Sequence, residues 1–303
     1  MTDASRRAGW GSDQGLTPWQ GWAPLVVLPP AVLVIGLPRW PPWVVMWTLA
    51  VAIYGGSKWL TWRRTPVRGA PAWKHIAYLL AWPGLDAAAF LGGAPADTVR
   101  PTPREWLTAA ARLALGVAVF YGAARSIDIR HAYAVGWIGM IGLVLILHFG
   151  AFAVLSCVWR RLGIQARPLM NRPLASTSLS EFWGSWNTAF RDLTYRFLFR
   201  PFRRWFGARW GIVAGFLFSG AVHDLVVSVP ARGGYGGPTI FFAVQGAAMI
   251  VERSRFGRRM GLGSGVPGRL FAMLALVAPV GLLFHRPFVE RIVVPFMRAV
   301  GAV

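Results

Sequence analysis

The chain has 303 residues, 55% of them hydrophobic and only 14% charged, where an ordinary soluble domain carries ~25% charged residues. A soluble enzyme and a disordered chain are therefore excluded, and a polytopic membrane protein is expected. The net charge of +21 arises from 32 basic and 11 acidic residues; the basic ones stand in short blocks between apolar runs, the distribution of inside loops and not of a nucleic-acid footprint.

In chain order, residues 1–22 are polar, with Asp3, Arg6, Arg7 and Asp13, and lack the early apolar core of a signal peptide. They read as a flexible tail ahead of a single membrane-embedded domain over 23–303. Apolar runs follow at 23–37, 43–57, 75–93, 107–124, 133–157, 210–229, 238–252 and 269–285. Several are shorter than the ~20 residues of a straight span, and prolines interrupt the first (Pro29, Pro30) and third (Pro83). Such segments are tolerated at membrane depth where they line an enclosed cavity. If 75–93 is re-entrant at Pro83-Gly84 and the other seven runs span, inside regions hold 24 basic residues and outside regions seven, the expected bias. The expected fold is all-α, with about seven spanning helices, a re-entrant segment and amphipathic interfacial helices around a chamber. Arg supplies 30 of the 32 basic residues; with abundant Ala, Gly and Pro, this suggests a GC-rich bacterial source and a bacterial membrane. Cys157 is the single cysteine, so there is no disulfide framework; before Trp159-Arg160-Arg161 it reads as a small hydrophobe.

Residues 174–209 are the most informative polar stretch. Ser178-Leu179-Ser180-Glu181 fits a capping box, which predicts a helix start. Phe182, Trp183, Trp186, Phe190 and Phe197 then recur at spacings near three and four, with Arg191, Asp192 and Tyr195 opposite. This predicts one amphipathic helix with an aromatic face, suited to the interface or to a lipid-lined cavity. Asn187 lies at the edge of that face, either as an incidental surface residue or as a functional amide.

His223 lies in an apolar run. Gly211, Gly215, Ser219 and His223 share one helical stripe, whose small members let another helix approach. His223 should therefore face protein, either hydrogen-bonded to a neighbouring helix or as a functional group. Asp224 follows, turned about 100° around the helix. His148 has no polar companions at helical spacing and reads as structural, while His75, His131 and His285 stand at run ends. No metal cluster, nucleophile elbow, P-loop or GxGxxG is present.

The segments Ser178-Leu179-Ser180-Glu181-Phe182-Trp183-Gly184-Ser185-Trp186-Asn187 and Phe218-Ser219-Gly220-Ala221-Val222-His223-Asp224 resemble the membrane-bound O-acyltransferase superfamily, in its wax-synthase-like branch. That branch pairs an F-W-G-x-x-W-N segment with a later S-G-x-x-H-E segment. Ala81–Asp86, Phe241–Glu252 and Phe284-His285-Arg286-Pro287-Phe288 fit the same branch. Three departures stand out. Phe182–Asn187 is one residue shorter, Asp224 replaces the usual Glu, and Gln245 stands where members often have His.

The resemblance implies acyl transfer from a thioester, usually acyl-CoA, to the hydroxyl of a hydrophobic alcohol or lipid, with no metal or other cofactor. His223 would be the general base, and Asn187 would donate to the oxyanion or orient the imidazole. Trp183, Trp186, Phe190, Ser219 and Gln245 would line the acyl site. Arg200, Arg203 and Arg204, with Arg209, would attract the CoA phosphates or membrane-lipid headgroups. Partners would thus be the thioester, the alcohol and membrane lipids, without nucleic acid. The competing class is a non-catalytic transporter or scaffold for a hydrophobic metabolite. No internal repeat supports it, and the acids Asp86, Asp128, Asp192, Asp224, Glu252 and Glu290 lie mostly near run ends.

Overall fold

The computed structural model describes residues 21–67, 69–92 and 100–303; the expected polar tail lies outside these except for its last two residues. All regular structure among the described residues is helical. Helices α1 (Ala23–Gly36), α2 (Pro42–Arg63), α3 (Ala72–Ala81) and α4 (Ala87–Leu91) come first. Two long runs follow, α5 (Pro103–Ser126) and α6 (Ile129–Arg161). Next are α7 (Leu179–Ser185), α8 (188–206), α9 (Ala208–Ala231), α10 (Gly237–Arg253) and α11 (Arg255–Arg259). Helices α12 (Gly265–Leu283) and α13 (286–299) complete the chain. Among the described residues, α5, α6, α9 and α12 are the four long and apolar enough to cross a membrane.

The chain divides into two compact units, 1–114 with 146–168, and 115–145 with 169–303. In the first, α3 and α4 are separated by an extended break at Trp82–Asp86, where Pro83-Gly84 predicts it. A proline cannot continue the helical ladder, so the break leaves carbonyls that need donors. Helix α2 supplies them from one face: Tyr54 Oη donates to the Trp82 carbonyl at 2.9 Å, and Lys58 Nζ to that of Gly84 at 2.6 Å. Lys58 is 1% exposed, and its Nζ lies 3.3 Å from the centre of the Tyr78 ring. A hydrogen bond of this kind contributes about 0.5–1.5 kcal/mol net, and the Tyr78 ring face packs against the amine. Asp86 then caps α4 by accepting from Ala89 N–H at 3.0 Å.

In the second unit, α6 presents Gly139 to α13, where an added Cβ would lie 2.1 Å from the Met297 sulfur. Helices α9 and α10 pack as a close pair. A Cβ on Gly220 would sit 2.6 Å from the Cα of Thr239, while Gly215 faces open space. The close approach expected of the small-residue stripe occurs at Gly211, where a Cβ would lie 2.9 Å from the Phe199 ring and 3.0 Å from its carbonyl oxygen, and a second occurs one residue beside the stripe at Gly220. The gap beyond Gly220 is filled by aromatic packing, with Phe241, Phe242 and Leu283 buried against Trp183, Phe216 and Phe284.

The single helix expected after Ser178 is instead two. Ser178 does cap α7, its hydroxyl accepting from Glu181 N–H at 3.1 Å, but the Glu181 carboxylate reaches Thr177 N–H, at 2.7 Å, in place of Ser178. The helix stops at Ser185, Trp186 is extended, and Asn187 is left-handed with φ 40° and ψ 65°. Backbone pairing fixes the break from outside. Asn171 N–H donates to the Ser185 carbonyl, and Thr188 N–H to that of Leu169, both at 2.9 Å. The three–four aromatic spacing runs straight through this break, so spacing alone cannot reveal it.

Candidate active site

Asn187 stands in the break because few other residues suit it. An Asn tolerates the left-handed region better than other non-glycine residues, and its side chain can cap a following helix. Here Oδ1 accepts from Phe190 N–H at 3.2 Å and starts α8. That bond fixes the amide orientation, because only the oxygen can accept. The two Nδ2 hydrogens consequently point away from the cap and have no partner among the described residues.

His223 closes the α-helical part of α9, ahead of a π-helical turn over Asp224–Ser228. Its Nδ1 lies 2.6 Å from the Ser219 carbonyl oxygen. A carbonyl only accepts, so in the neutral ring Nδ1 carries the proton and Nε2 presents a lone pair. Nε2 has no partner among the described residues. One face of the ring is covered by Phe242, with ring centres 4.6 Å apart.

Trp183 and Gln245 come together next to Phe242. The indole N–H donates to Gln245 Oε1 at 3.4 Å, the Trp183 and Phe242 ring centres are 5.6 Å apart, and Gln245 Nε2 donates to the Ala275 carbonyl at 2.7 Å. Gln245 is 0% exposed, so it anchors Trp183 from behind. Phe190 stacks on Phe218 of the His223 helix at 6.3 Å between ring centres, which brings α8 against α9. Trp186 turns back to stack on Phe182.

The Ser219 hydroxyl is occupied within its own helix, donating to the Gly215 carbonyl at 2.9 Å; its carbonyl is the group that meets His223. Arg200, Arg203, Arg204 and Arg209 are all exposed at the end of α8 and the start of α9, beside Trp205, which is 82% exposed. His148 belongs to the first unit, edge-on to Phe152. Among the described residues no cluster of His, Cys, Asp and Glu could hold a metal ion.

Two carboxylates prove central to the architecture. Asp224 Oδ1 accepts from Ser228 Oγ at 2.9 Å and Gly236 N–H at 2.8 Å; Oδ2 accepts from the Thr239 N–H at 3.0 Å and from its hydroxyl. It therefore caps the N-terminus of α10 from the neighbouring helix, where an anion is favoured by the exposed N–H groups. At the opposite end of α10, the buried Glu252 accepts from Leu179 N–H at 2.6 Å and Ser180 N–H at 3.2 Å, the start of α7. The available sequence signal was a pair of acids bracketing one apolar run, with a glycine-rich turn between Asp224 and that run.

Residues 166–244 match the Membrane bound O-acyl transferase family. The chain is 31% identical over 149 residues to "Probable long-chain-alcohol O-fatty-acyltransferase 3" of Arabidopsis thaliana, covering 43% of this chain and 42% of the relative. It is 30% identical over 146 residues to "Probable long-chain-alcohol O-fatty-acyltransferase 9" of the same plant, with the same two coverages of 43% and 42%. It is also 32% identical over 101 residues to "Long-chain-alcohol O-fatty-acyltransferase" of Simmondsia chinensis, covering 30% of this chain and 29% of that one. The matches thus span less than half the length of these relatives. All three are plant proteins, so they lend no support to the bacterial membrane suggested by Arg usage. The segment that carries Trp183, Asn187, Ser219 and His223 therefore matches the membrane bound O-acyl transferase family and is similar to its wax-synthase-like branch.

Proposed function

We propose that the chain is a membrane-bound O-acyltransferase that moves a fatty acyl group from a thioester, acyl-CoA, to the hydroxyl of a long-chain or similarly hydrophobic alcohol. The family match and the names of the relatives support the reaction class. The observation that carries the residue assignment is the Nδ1 bond of His223 to the Ser219 carbonyl, which leaves the Nε2 lone pair as a base. The alcohol proton passes to Nε2 as its oxygen attacks the thioester carbon. Asn187 Nδ2–H donates to the resulting oxyanion, the C–S bond breaks, and the leaving thiolate takes the proton from the imidazolium. General-base help contributes ~10²–10⁴ in rate. Trp183, Phe190 and Phe242 offer the apolar surface for the acyl chain, and the exposed arginines the charge for the CoA phosphates.

In the same reading, the remaining apolar helices complete a seven-span arrangement with 75–93 re-entrant. Four membrane-length helices and the break at Pro83-Gly84 support it. The decisive assay uses the purified protein in nanodiscs with acyl-CoA and a thiol reagent. Thiol release should require added alcohol and yield the ester. His223→Ala should abolish turnover while expression and acyl-CoA binding persist. Silence across a panel of alcohols, together with substrate uptake into vesicles, would instead indicate a transporter.

A further inference from the structure

A second polar chain runs behind the proposed base. Its members are Asp224, Ser228 and His285, all in the second unit. The Nδ1 of His285 accepts from Phe288 N–H at 3.2 Å, capping the start of α13. Its Nε2 lies 3.1 Å from Ser228 Oγ, and that hydroxyl lies 2.9 Å from Asp224 Oδ1. The directions of these bonds follow from the ends. A backbone N–H can only donate, so Nδ1 is the acceptor and the neutral ring carries its proton on Nε2. A carboxylate can only accept, so the serine hydrogen goes to Asp224 at 2.9 Å in preference to the Gly234 carbonyl at 3.4 Å, and the serine oxygen receives Nε2–H. Protons therefore point from the imidazole through the hydroxyl to the carboxylate. This is the opposite of the polarity that would activate Ser228 as a nucleophile, where the hydroxyl must donate to the ring.

The chain is held on every side. Ser228 is 0% exposed. The glycine-rich turn lies flat on the imidazole: Gly234 has φ +71°, and a Cβ there would fall 2.2 Å from the His285 ring. The far end, Asp224, grips Gly236 and Thr239. Phe242, three residues beyond Thr239 on the same helix, is the ring packed on His223.

We infer that His285 is a positioning residue for His223, acting through Ser228 and Asp224. Its Nε2–H occupies the lone pair of Ser228 and commits the serine proton to Asp224. That carboxylate sets the π-helical turn after His223 and the register of α10, and hence the angle between the His223 ring and Phe242. The inference rests on the reading of His223 as base for its catalytic consequence, but its geometric content stands apart from it.

Two variants of the full-length protein in nanodiscs separate the functions of the imidazole. His285→Asn places an acceptor near the position of Nδ1, keeping the Phe288 cap, and has no group to reach Ser228. His285→Gln places an amide near Nε2, keeping the Ser228 bond, and gives up the cap. Misplacement by about 1 Å can lower a rate ~10²-fold. H285N should therefore lose 10- to 100-fold in kcat with KM for the thioester unchanged, and H285Q should retain most of kcat. Equal kcat in H285N and the parent protein, or a loss confined to H285Q, would overturn the inference.

The second readout needs no turnover. In protein labelled with ¹⁵N-histidine, the ring signals of His223, assigned by their loss in H223A, should report the Nδ1–H tautomer and should move in H285N but not in H285Q. If they stay fixed in H285N, the positioning role is refuted even where the variant is poorly active. If they move while H223A retains full turnover, the positioning role stands and the assignment of His223 as base fails.

Discussion

The ring of Phe242 lies against the imidazole of His223, their centres 4.6 Å apart, and three residues earlier Thr239 is bound by the carboxylate of Asp224. The catalytic candidate and its packing partner are thus tied twice, once through a ring contact and once through adjacent backbone. Truncating a buried Phe to Ala costs about 3–5 kcal/mol. Phe242→Ala should lower the midpoint of thermal unfolding accordingly and reduce kcat. Phe242→Leu, which keeps most of the volume, should restore stability more completely than turnover; recovery of both together would show that the ring acts only as filler.

Asn187 has two separable functions. Asp can keep the oxygen that caps α8 and tolerates left-handed backbone, but it has no Nδ2–H. Loss of one oxyanion donor typically lowers kcat ~10²–10³-fold. Asn187→Asp should show a loss of that size with a nearly unchanged melting temperature. Unchanged turnover in the Asp variant would confine Asn187 to its cap.

Glu252 is the stability counterpart. Its carboxylate is buried and satisfies two N–H groups at the start of α7. Leaving buried donors unsatisfied costs about 1–3 kcal/mol. Glu252→Ala should destabilise by that amount. Glu252→Gln, which keeps an acceptor, should destabilise less. Hydrogen exchange at Leu179 and Ser180 should accelerate in the Ala variant first.

Gly220→Ala tests the closeness of α9 and α10. The added methyl would meet a Cα, which cannot swing aside as a side-chain tip can. Overpacking of this kind costs about 1–3 kcal/mol. Gly215→Ala, facing open space, should be neutral or slightly stabilising because alanine favours helix. A larger cost at Gly215 than at Gly220 would contradict the packing described.

Replacing Arg200, Arg203 and Arg204 together by Ala should raise KM for acyl-CoA several-fold with kcat nearly constant. The effect should shrink as ionic strength rises, since exposed charges are screened over about 8–10 Å at 0.1–0.15 M salt. An unchanged KM would assign these arginines to lipid headgroups alone.

Much of this arrangement is legible in the sequence because it depends on local chemistry. The helix start at Ser178, the break at Pro83-Gly84 and the packing of an imidazole against protein in an apolar run each follow from a few neighbouring residues. What stays hidden depends on partners far away. Glu252 serves Leu179 across 73 residues, and Asp224 serves Thr239 across 15; in both cases the partner includes a backbone N–H, which every residue except proline offers and no motif marks. The break at Asn187 is hidden for another reason. The aromatic spacing suits a continuous helix, and only Leu169 and Asn171, pairing from outside, reveal that the chain turns there.

Helix α10 is gripped at its start by Asp224, at its middle through Gln245 and at its end through Glu252, so it works as a measuring rod between the imidazole's helix and the tryptophan's. Rods of this kind fail by length before they fail by composition. One residue inserted between Thr239 and Gln245 would advance the far half by about 1.5 Å and rotate it by about 100°, leaving every side chain intact and every grip misaligned. The spacing between the grips, and not only the side chains that make them, therefore fixes where the two halves of the site stand.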